Sequence, residues 1–127
     1  MNNLIGYYDP KRFTRLPDGW IRDWREEREH GPSSPTPLGP EERKKFCENM
    51  GGQEPEADEA ASIVNYEGKD GFFEVFSDTR TDNSYATKTE VAWSKSRVRV
   101  VSYGRGNVNY SNKDCRYYVR PVRPMPV

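Results

Sequence analysis

The residues that could perform catalysis are few and scattered in this chain. His30 is the single histidine of the 127 residues, and Cys47 and Cys115 are the two cysteines. The sequence contains no G-x-S-x-G, H-E-x-x-H, C-x-x-C or Walker-type pattern, so the arrangements that hold a nucleophile, a zinc ion or a nucleotide are missing. His30 precedes a proline-rich loop, where a histidine is ordinarily exposed. The sequence therefore predicts that the protein is not an enzyme.

A short acidic segment has side chains of the type that bind calcium. Residues 78–83 read DTRTDN and offer carboxylate and amide oxygens at alternate positions, whereas a calcium ion requires about six to eight oxygen ligands. Arg80 lies in the middle of the segment, and no glutamate follows at a ligating spacing. We interpret the segment as a polar turn whose Asp and Asn side chains cap their own backbone. We therefore expect no metal ion and no other cofactor.

The remaining chemistry is that of recognition, and it is concentrated near the C-terminus. From Tyr85 to Arg123 the sequence alternates apolar and polar residues and is rich in tyrosine, asparagine and arginine. The alternation predicts strands with one buried face. Tyrosine, asparagine and serine on short strands and turns combine rigid aromatic contacts with adaptable hydrogen bonds. The segment therefore predicts a β-structured binding surface.

The charges are balanced overall but unevenly distributed. Twenty basic and 20 acidic side chains give a net charge of zero, which argues against a general polyanion binder. Residues 41–60 carry seven acids and three bases, whereas residues 94–127 carry eight bases and one acid. Either the two segments pack together and neutralise each other, or the basic segment forms a functional face. In the second case tyrosines could stack on nucleobases while Arg120 and Arg123 meet phosphates.

Both thiols are expected to be reduced. The N-terminal residues show no charged segment followed by an apolar run, and no stretch approaches the ~18 apolar residues of a membrane span. We therefore expect no signal peptide and a location in the cytoplasm of a host or in a phage particle. Cys47 and Cys115 could still form a bridge in an oxidising medium if their Cα atoms lie within ~7 Å of each other.

The composition predicts one small domain with an aromatic core. Hydrophobic residues make up 33% of the chain, which is below the usual share. Three Trp, eight Tyr and five Phe can supply the core instead, because each buried aromatic side chain removes roughly 150–250 Å² from water. Trp93, at the entry to a predicted strand, is expected to belong to this core.

Turn and helix signals dominate the first half of the chain. Pro17–Gly19 predicts a turn with a short strand at Trp20-Ile21 after it, and the charged residues 22–30 predict either a solvated helical turn or an extended polar loop. Residues 31–40, with four prolines, predict an irregular connection. A helix is predicted over residues 40–50, since a proline and two glutamates suit its first turn and Gly51-Gly52 ends it.

A second short helix is predicted across residues 56–66, and the pattern then changes to that of strands. The predicted β segments are the apolar cluster at Phe72–Phe76, the alternating residues around Val98 and Val100, the hairpin strand Asn107–Tyr110 after a turn at Gly104–Gly106, and a last strand over Arg116–Val122.

Several strings resemble one known family. The order RFT, FCENM, SIVNY, TDNSYATKTEVAW, GNVNYSNK and YYVRPVR resembles the bacterial and phage domain of unknown function numbered 1566. That family belongs with the C-type-lectin-like folds, alongside the fibrobacter major-paralogous domain. The resemblance runs from Arg12 to about Arg123 and is strongest over Ser62–Tyr66 and Asn83–Arg123. Gln53–Glu59 departs from the DWRLPT-type string that the family usually carries.

The resemblance implies an α+β fold. It predicts a single C-type-lectin-like domain over residues 12–127, with one or two short helices on a small twisted antiparallel sheet and with long loops. Residues 1–11 are predicted to form an N-terminal arm.

The resemblance also implies a binding function. C-type-lectin-like domains of this branch occur as adhesin tips, as phage receptor-binding proteins and as targets of diversity-generating retroelements, in which variation falls on positions of the closing strands. The matching positions here are Ser102, Tyr103, Arg105, Asn107, Asn109, Tyr110, Asn112, Asp114, Arg116 and Tyr117. We therefore expect a phage- or bacterium-encoded module that binds a protein, or secondarily a glycan. The alternatives are a small phage-encoded inhibitor of a host defence complex (anti-CRISPR-like) and nucleic-acid binding through the basic C-terminal strands.

Overall fold

The described residues form a small α+β domain with two antiparallel sheets and three short helices. The structure is a computed structural model that describes residues 12–64 and 69–126. The first sheet contains, in spatial order, β1 (Phe13–Arg15), β2 (Ile21–Asp23), β3 (Arg28–His30) and β7 (Val122–Pro124). The second contains β4 (Tyr85–Val91), β5 (Ser94–Ser102) and β6 (Asn107–Asn112). The helices are α1 (Pro40–Asn49), α2 (Ala57–Ala61) and α3 (Lys69–Val75).

The predicted α+β class is confirmed, but two details of the prediction are wrong. The described residues form two sheets, not one, and three helices instead of one or two. β7 pairs with β3. Along the chain, the three helices and the second sheet come after β3 and before β7. The predicted N-terminal arm, residues 1–11, lies outside the described residues.

The charged residues 22–30 form the β2–β3 hairpin instead of a helical turn or a loop. Asp23 is fully buried, and its carboxylate accepts two backbone N–H groups from the turn that follows it. Across the hairpin, Arg22 Nε donates to Glu29 Oε2 at 2.7 Å, and the two residues are direct partners in the register. Cross-strand ion pairing therefore stabilises strands in a segment that has almost no apolar residues.

The last strand is shorter than the predicted Arg116–Val122, because pairing with β3 begins only at Val122. The preceding residues Tyr117 and Tyr118 make isolated bridges, one to the segment before α1 and one to the first residue of β4. Val119 and Ser34 exchange two further hydrogen bonds at 2.9 and 3.0 Å. This extended segment therefore joins the two sheets instead of belonging to either.

α1 confirms the helix that was predicted over residues 40–50. The Glu42 carboxylate accepts the backbone N–H of Gly39 at 3.0 Å, which satisfies one of the unpaired donors at the start of the helix. The buried positions of the helix are Arg43 and Cys47. The helix therefore presents a guanidinium and a thiol to the interior, while its largest apolar side chain, Phe46, is half-buried.

The second predicted helix is present as α2, within the described part of its range, and a third helix replaces the strand predicted at Phe72–Phe76. Phe72 and Phe76 lie four residues apart, which is the spacing of one helix face. Both rings are buried, and they stack with centroids 5.3 Å apart. A short apolar run does not by itself distinguish a strand from a helix. Here packing of the two rings on one side decides for the helix.

The core is aromatic, as the composition predicted. Tyr103 stacks on Phe72 with centroids 5.1 Å apart, and Tyr85 meets Tyr103 edge to face at 5.0 Å. The Tyr103 hydroxyl donates to the backbone oxygen of Ala60 at 2.6 Å. These contacts join β4, β5, α2 and α3 around one buried cluster.

Trp20 is the tryptophan of the interior, and the expectation that Trp93 lies in the core is wrong. Trp20 exposes 2% of its surface and Trp93 exposes 62%. A Cβ on Gly52 would lie 2.7 Å from Cη2 of Trp20 and 2.7 Å from the carbonyl oxygen of Val122, so only glycine fits there. The Arg123 guanidinium lies 4.0 Å from the Trp20 ring centroid. Trp93 instead occupies the turn between β4 and β5, where its ring is exposed.

Removal of the Tyr103 hydroxyl should lower the stability of the protein, whereas removal of the Tyr110 hydroxyl should not. Tyr103→Phe should lower the free energy of unfolding by about 1–3 kcal/mol, because the buried oxygen of Ala60 loses its donor. Tyr110 is 42% exposed, and its hydroxyl has no hydrogen bond within the described residues, so Tyr110→Phe should change stability by less than ~0.5 kcal/mol. Urea unfolding followed by circular dichroism measures both values. Equal losses in the two variants would contradict this assignment of the core.

Candidate binding surface

Most of the residues predicted to bind a ligand lie on β6 and its flanking turns. The exposed members are Arg105, Asn107, Asn109, Tyr110, Asn112, Asp114 and Arg116, and Ser102 is half-buried. In the described part of the chain β6 pairs only with β5, so it is an edge strand of the second sheet. Five of its six residues are exposed, so both of its faces meet solvent along most of its length.

Tyr103 and Tyr117 are buried, so the expectation that they contact a ligand is wrong. Tyr103 exposes 2% of its surface within the aromatic core. Tyr117 exposes 6% and donates its hydroxyl to the backbone oxygen of Asn112 at 2.8 Å, while the Arg43 guanidinium lies 5.5 Å from its ring centroid. Strand alternation shows that successive side chains point to opposite faces, but it does not reveal which face the rest of the chain covers.

The free edge of β6 is partly closed by its own side chains. Lys113 N donates to Ser96 O at 3.0 Å, and the register of β5 and β6 then directs the N–H of Tyr110 away from β5. That N–H donates to Oδ1 of Asn109 at 2.9 Å. An edge strand whose backbone donor is satisfied in this way is a poor template for strand addition. Recognition at β6 therefore falls to side chains.

Three exposed side chains and the half-buried Arg99 form a cluster, here called the aromatic–arginine patch: Trp93, Arg97, Arg99 and Tyr110. The Trp93 and Tyr110 rings meet edge to face with centroids 5.1 Å apart. The Arg97 guanidinium lies 5.5 Å from the Trp93 centroid and 5.4 Å from that of Tyr110. Arg99 lies 5.9 Å from the Tyr110 centroid. These are cation–π distances.

The sheet register positions the patch. Arg99 is the direct partner of Tyr110 across β5 and β6, and side chains of direct partners lie on the same face. Arg97 lies two residues earlier on β5 and shares that face. Three of the four patch residues are therefore held on paired strands, and Trp93 lies in the adjoining turn.

The patch arginines have no carboxylate partner in the described chain, although most other arginines do. Ion pairs hold Arg12, Arg22, Arg25, Arg28, Arg43, Arg116, Arg120 and Arg123. Over residues 94–113 the sequence carries five basic and no acidic side chains. Within this hairpin, no acidic side chain offsets the positive charge around the patch.

An apolar groove adjoins the patch. It has a volume of about 490 Å³ and lies between α2 and β6, with Ala57, Ala61 and Val108 among its walls and Arg99 at the side of the patch. Val108 is 41% exposed. The carboxylate-bearing residues Glu56 and Asp58 also line it. The surface thus combines aromatic, cationic and apolar elements, with acidic residues of α2 at one border.

The arginines of the closing YYVRPVR string are structural, which removes them from the nucleic-acid hypothesis. Arg120 is 3% exposed and pairs with Asp78. Arg123 donates to Glu29 Oε1 at 2.6 Å and to Asp18 Oδ2 at 2.9 Å. Their partners lie outside the acidic residues 41–60. Arg116 and Glu42, at 3.0 Å, form the ion pair that links residues 94–127 to that segment within the described chain.

The expectation that His30 is exposed is wrong, and neither His30 nor Cys47 has the character of a catalytic group. His30 is 1% exposed, and desolvation by burial, with the charge of Arg120 as a second cause, lowers its pKa to about 3. Burial, and then the carboxylate of Glu54, raises the pKa of the Cys47 thiol to about 12. Cys47 is buried, Cys115 is exposed, and both are free thiols.

The oxygens of the DTRTDN segment are engaged in the fold. Asp78 accepts Arg120 at 2.8 Å and the backbone N–H of Ser33 at 2.8 Å. Asp82 accepts the hydroxyl of Tyr118 at 2.8 Å. Asn83 Oδ1 caps the backbone N–H of the next residue. The Asn83 contact is the predicted capping of the local backbone, whereas Asp78 and Asp82 contact residues distant in sequence.

Comparisons with known proteins give no indication of function. No family model matches the chain, and no significantly similar protein was found among curated sequences. Within residues 12–64 and 69–126, no helix has the length and apolar character needed to cross a membrane.

The burial of His30 predicts a loss of stability in mild acid. The folded pKa of about 3 lies below the ordinary value of 6.5, so the unfolded chain takes up a proton that the folded chain refuses. This contribution to stability is complete above pH 6.5 and falls as the pH is lowered, by up to about 1.4 kcal/mol per pH unit. His30→Phe keeps an aromatic ring without a titrating group and should flatten the profile. Urea titrations between pH 7 and 4.5 measure the slopes, and parallel profiles of the two proteins would refute the assignment.

Proposed function

We propose that this chain is a non-enzymatic binding module that recognises another protein, or secondarily a glycan, through the aromatic–arginine patch and the exposed residues of β6. The observation that carries the proposal is the exposed Trp93–Tyr110 pair, flanked by two arginines that have no carboxylate partner in the described chain. Burying such a pair in a partner removes a large apolar surface from water. The patch takes over the role first expected of Tyr103 and Tyr117.

The residue types favour a protein partner. Tryptophan, tyrosine and arginine are enriched among the residues that dominate binding energy at protein interfaces. Around the patch, Asn107, Asn109 and Asn112 supply exposed amides, which donate and accept hydrogen bonds at a polar rim. This combination of rigid aromatic groups and adaptable amides resembles the chemistry of antibody-type binding sites.

The proposed fold is C-type-lectin-like. Two features support it besides the sequence resemblance. Strands from near the two ends of the described chain, β3 and β7, pair antiparallel. The helices and a separate three-stranded sheet are inserted between them. In this arrangement the second sheet bears the ligand-binding surface and the first sheet closes the domain.

The absence of catalysis is also part of the proposal, and two of the three candidate groups, His30 and Cys47, support it. His30 stays neutral and inaccessible near pH 7, and the Cys47 thiol does not ionise there. A general base needs a pKa near the working pH and access to substrate. These two side chains offer neither.

Nucleic acid is the second candidate ligand, because the five unopposed basic side chains of residues 94–113 surround exposed aromatic rings. Stacking on such rings with arginine at phosphates is the usual mode for single strands. An inhibitor of a host defence complex would be one form of the protein-binding function, and the identity of the captured partner distinguishes it from a receptor-binding module.

Loss of the two exposed rings should abolish capture of the partner. The chain, immobilised, is used to capture proteins from lysate of cells that carry its gene, and bound proteins are quantified by mass spectrometry. Trp93→Ala/Tyr110→Ala should reduce capture of the specific partner at least about tenfold, since central aromatic residues dominate interface energies. Trp24→Ala should not, although Trp24 is also 48% exposed with an arginine, Arg22, 5.2 Å from its ring.

Three treatments separate the classes of ligand. Protein recognition predicts that capture survives nuclease digestion and falls only mildly with salt, whereas a nucleic-acid ligand gives a steep salt dependence. Periodate oxidation of the lysate removes capture only if a glycan is bound. Equal capture by the patch variant and the Trp24 variant would eliminate the patch as the binding site.

A further inference from the structure

We propose that the aromatic–arginine patch and its adjoining groove take an extended acidic peptide segment, with one apolar side chain followed by two carboxylates at alternate positions. This inference rests on the proposed function and names the chemistry of the partner. The three parts of the surface lie in a row along β5 and β6. Each part fits one of these side chains.

Arg97 and Arg99 favour carboxylate groups as ligands. Arg97 and Arg99 lie against aromatic faces, and within residues 12–64 and 69–126 neither has an ion pair. A guanidinium stacked on a ring keeps its N–H edge directed outward, and this edge matches the two oxygens of a carboxylate. The rings restrict the rotation of the guanidinium, so less conformational entropy is lost when a carboxylate binds.

The apolar groove favours binding of an apolar side chain. Its walls at Ala57, Ala61 and Val108 are small or aliphatic, and Val108 remains 41% exposed on an edge strand. Packing of one leucine-sized side chain there removes apolar surface on both molecules from water. Arg99 lines the groove as well as the patch, so the two binding elements are continuous.

The spacing of the groove, Arg99 and Arg97 along the strands favours a ligand in extended conformation. The register pairs Val101 with Val108, Arg99 with Tyr110 and Arg97 with Asn112, so the groove, Arg99 and Arg97 follow one another at intervals of two residues. Two residues of extended chain span ~7 Å. A ligand in β conformation therefore brings every second side chain to one of the three positions, giving an apolar-x-acidic-x-acidic order in one of the two chain directions.

The surroundings of the patch disfavour two other occupants. Glu56 and Asp58 of α2 line the groove and would repel a phosphate backbone that continued past Arg99. A second copy of the same surface would bring the five basic residues of one hairpin, residues 94–113, against those of the other. A peptide with a localised acidic pair and an apolar neighbour avoids both conflicts.

Synthetic peptides test the inference directly. Fluorescein-labelled nine-residue probes carry Leu-Ser-Asp-Ser-Asp or the reverse order between glycine-serine ends, and the full chain is titrated by fluorescence anisotropy. At least one order should bind with a dissociation constant below ~1 mM and about tenfold more tightly than the counterparts with lysine at both acidic positions or with the two aspartates adjacent. Absence of binding by both orders, or equal binding of the adjacent-aspartate probe, overturns the inference.

Matched variants test the site. Arg97→Gln/Arg99→Gln should weaken binding of the acidic probe about tenfold or more, because both carboxylates lose charged donors. Lys95→Gln/Lys113→Gln removes the same charge from the same hairpin outside the patch and should change binding less than about threefold. Equal losses in the two variants would mean that net charge alone attracts the peptide, and this also overturns the inference. Circular dichroism and urea unfolding verify that both variants are folded.

An oligonucleotide arm and the capture experiment keep the two proposals separate. A labelled nine-nucleotide deoxythymidine strand that binds more tightly than both acidic probes would replace the peptide by nucleic acid. If capture from lysate depends on Trp93 and Tyr110 but the acidic probes do not bind, the module stands and only the acidic partner is lost. If the probes bind at Arg97 and Arg99 while capture is insensitive to the two rings, the proposed function fails and the peptide site remains.

Discussion

The buried guanidinium of Arg120 is the interaction on which the relation of the two sheets depends. It donates to the carbonyl oxygen of Gly31 at 2.8 Å and to Asp78 Oδ1 at 2.8 Å, so it connects the extended C-terminal segment to the end of β3 and to the turn before β4. A cation that is 3% exposed is tolerated only where oxygens surround it. Burial is the main cause of the lowered pKa of His30, and the charge of Arg120 lowers that pKa further. Near His30, the positive charge of Arg120 therefore disfavours a second cation.

Arginine side chains have different roles in the two sheets. In the first sheet, Arg22, Arg123 and Glu29 form a chain of ion pairs that stabilises short strands of low apolar content. In the second sheet, the strands are longer and one face packs on the aromatic core, so ion pairs are not required for cohesion. Within the described residues, Arg97 and Arg99 are thus left on a rigid support without a carboxylate partner. A surface that is charged, aromatic and not needed by the fold is the part of the molecule best suited to a ligand.

Local signals predicted the local structure well. The proline and glutamates before residue 43 predicted α1, and glycines at 104 and 106 predicted the turn into β6. The errors share one cause. The β2–β3 hairpin depends on the cross-strand pair of Arg22 with Glu29, and α3 depends on packing of Phe72 and Phe76 on the rest of the aromatic core. Arg22 and Glu29 lie in one segment, but they become partners only when the hairpin forms, and the rings that pack on Phe72 and Phe76 belong to other parts of the chain.

The sequence by itself determined that the domain has an aromatic core, that basic and amide side chains are concentrated near the C-terminus, and that the familiar catalytic patterns are missing. Only the tertiary structure decided which side chains of that segment face outward. Tyr103 and Tyr117 are covered by α2, α3 and the residues beside α1, while Trp93 and Tyr110 are exposed. Alternation along a strand assigns residues to two faces, but the face that is buried depends on elements distant in sequence. The position of the candidate site is therefore a property of the packing.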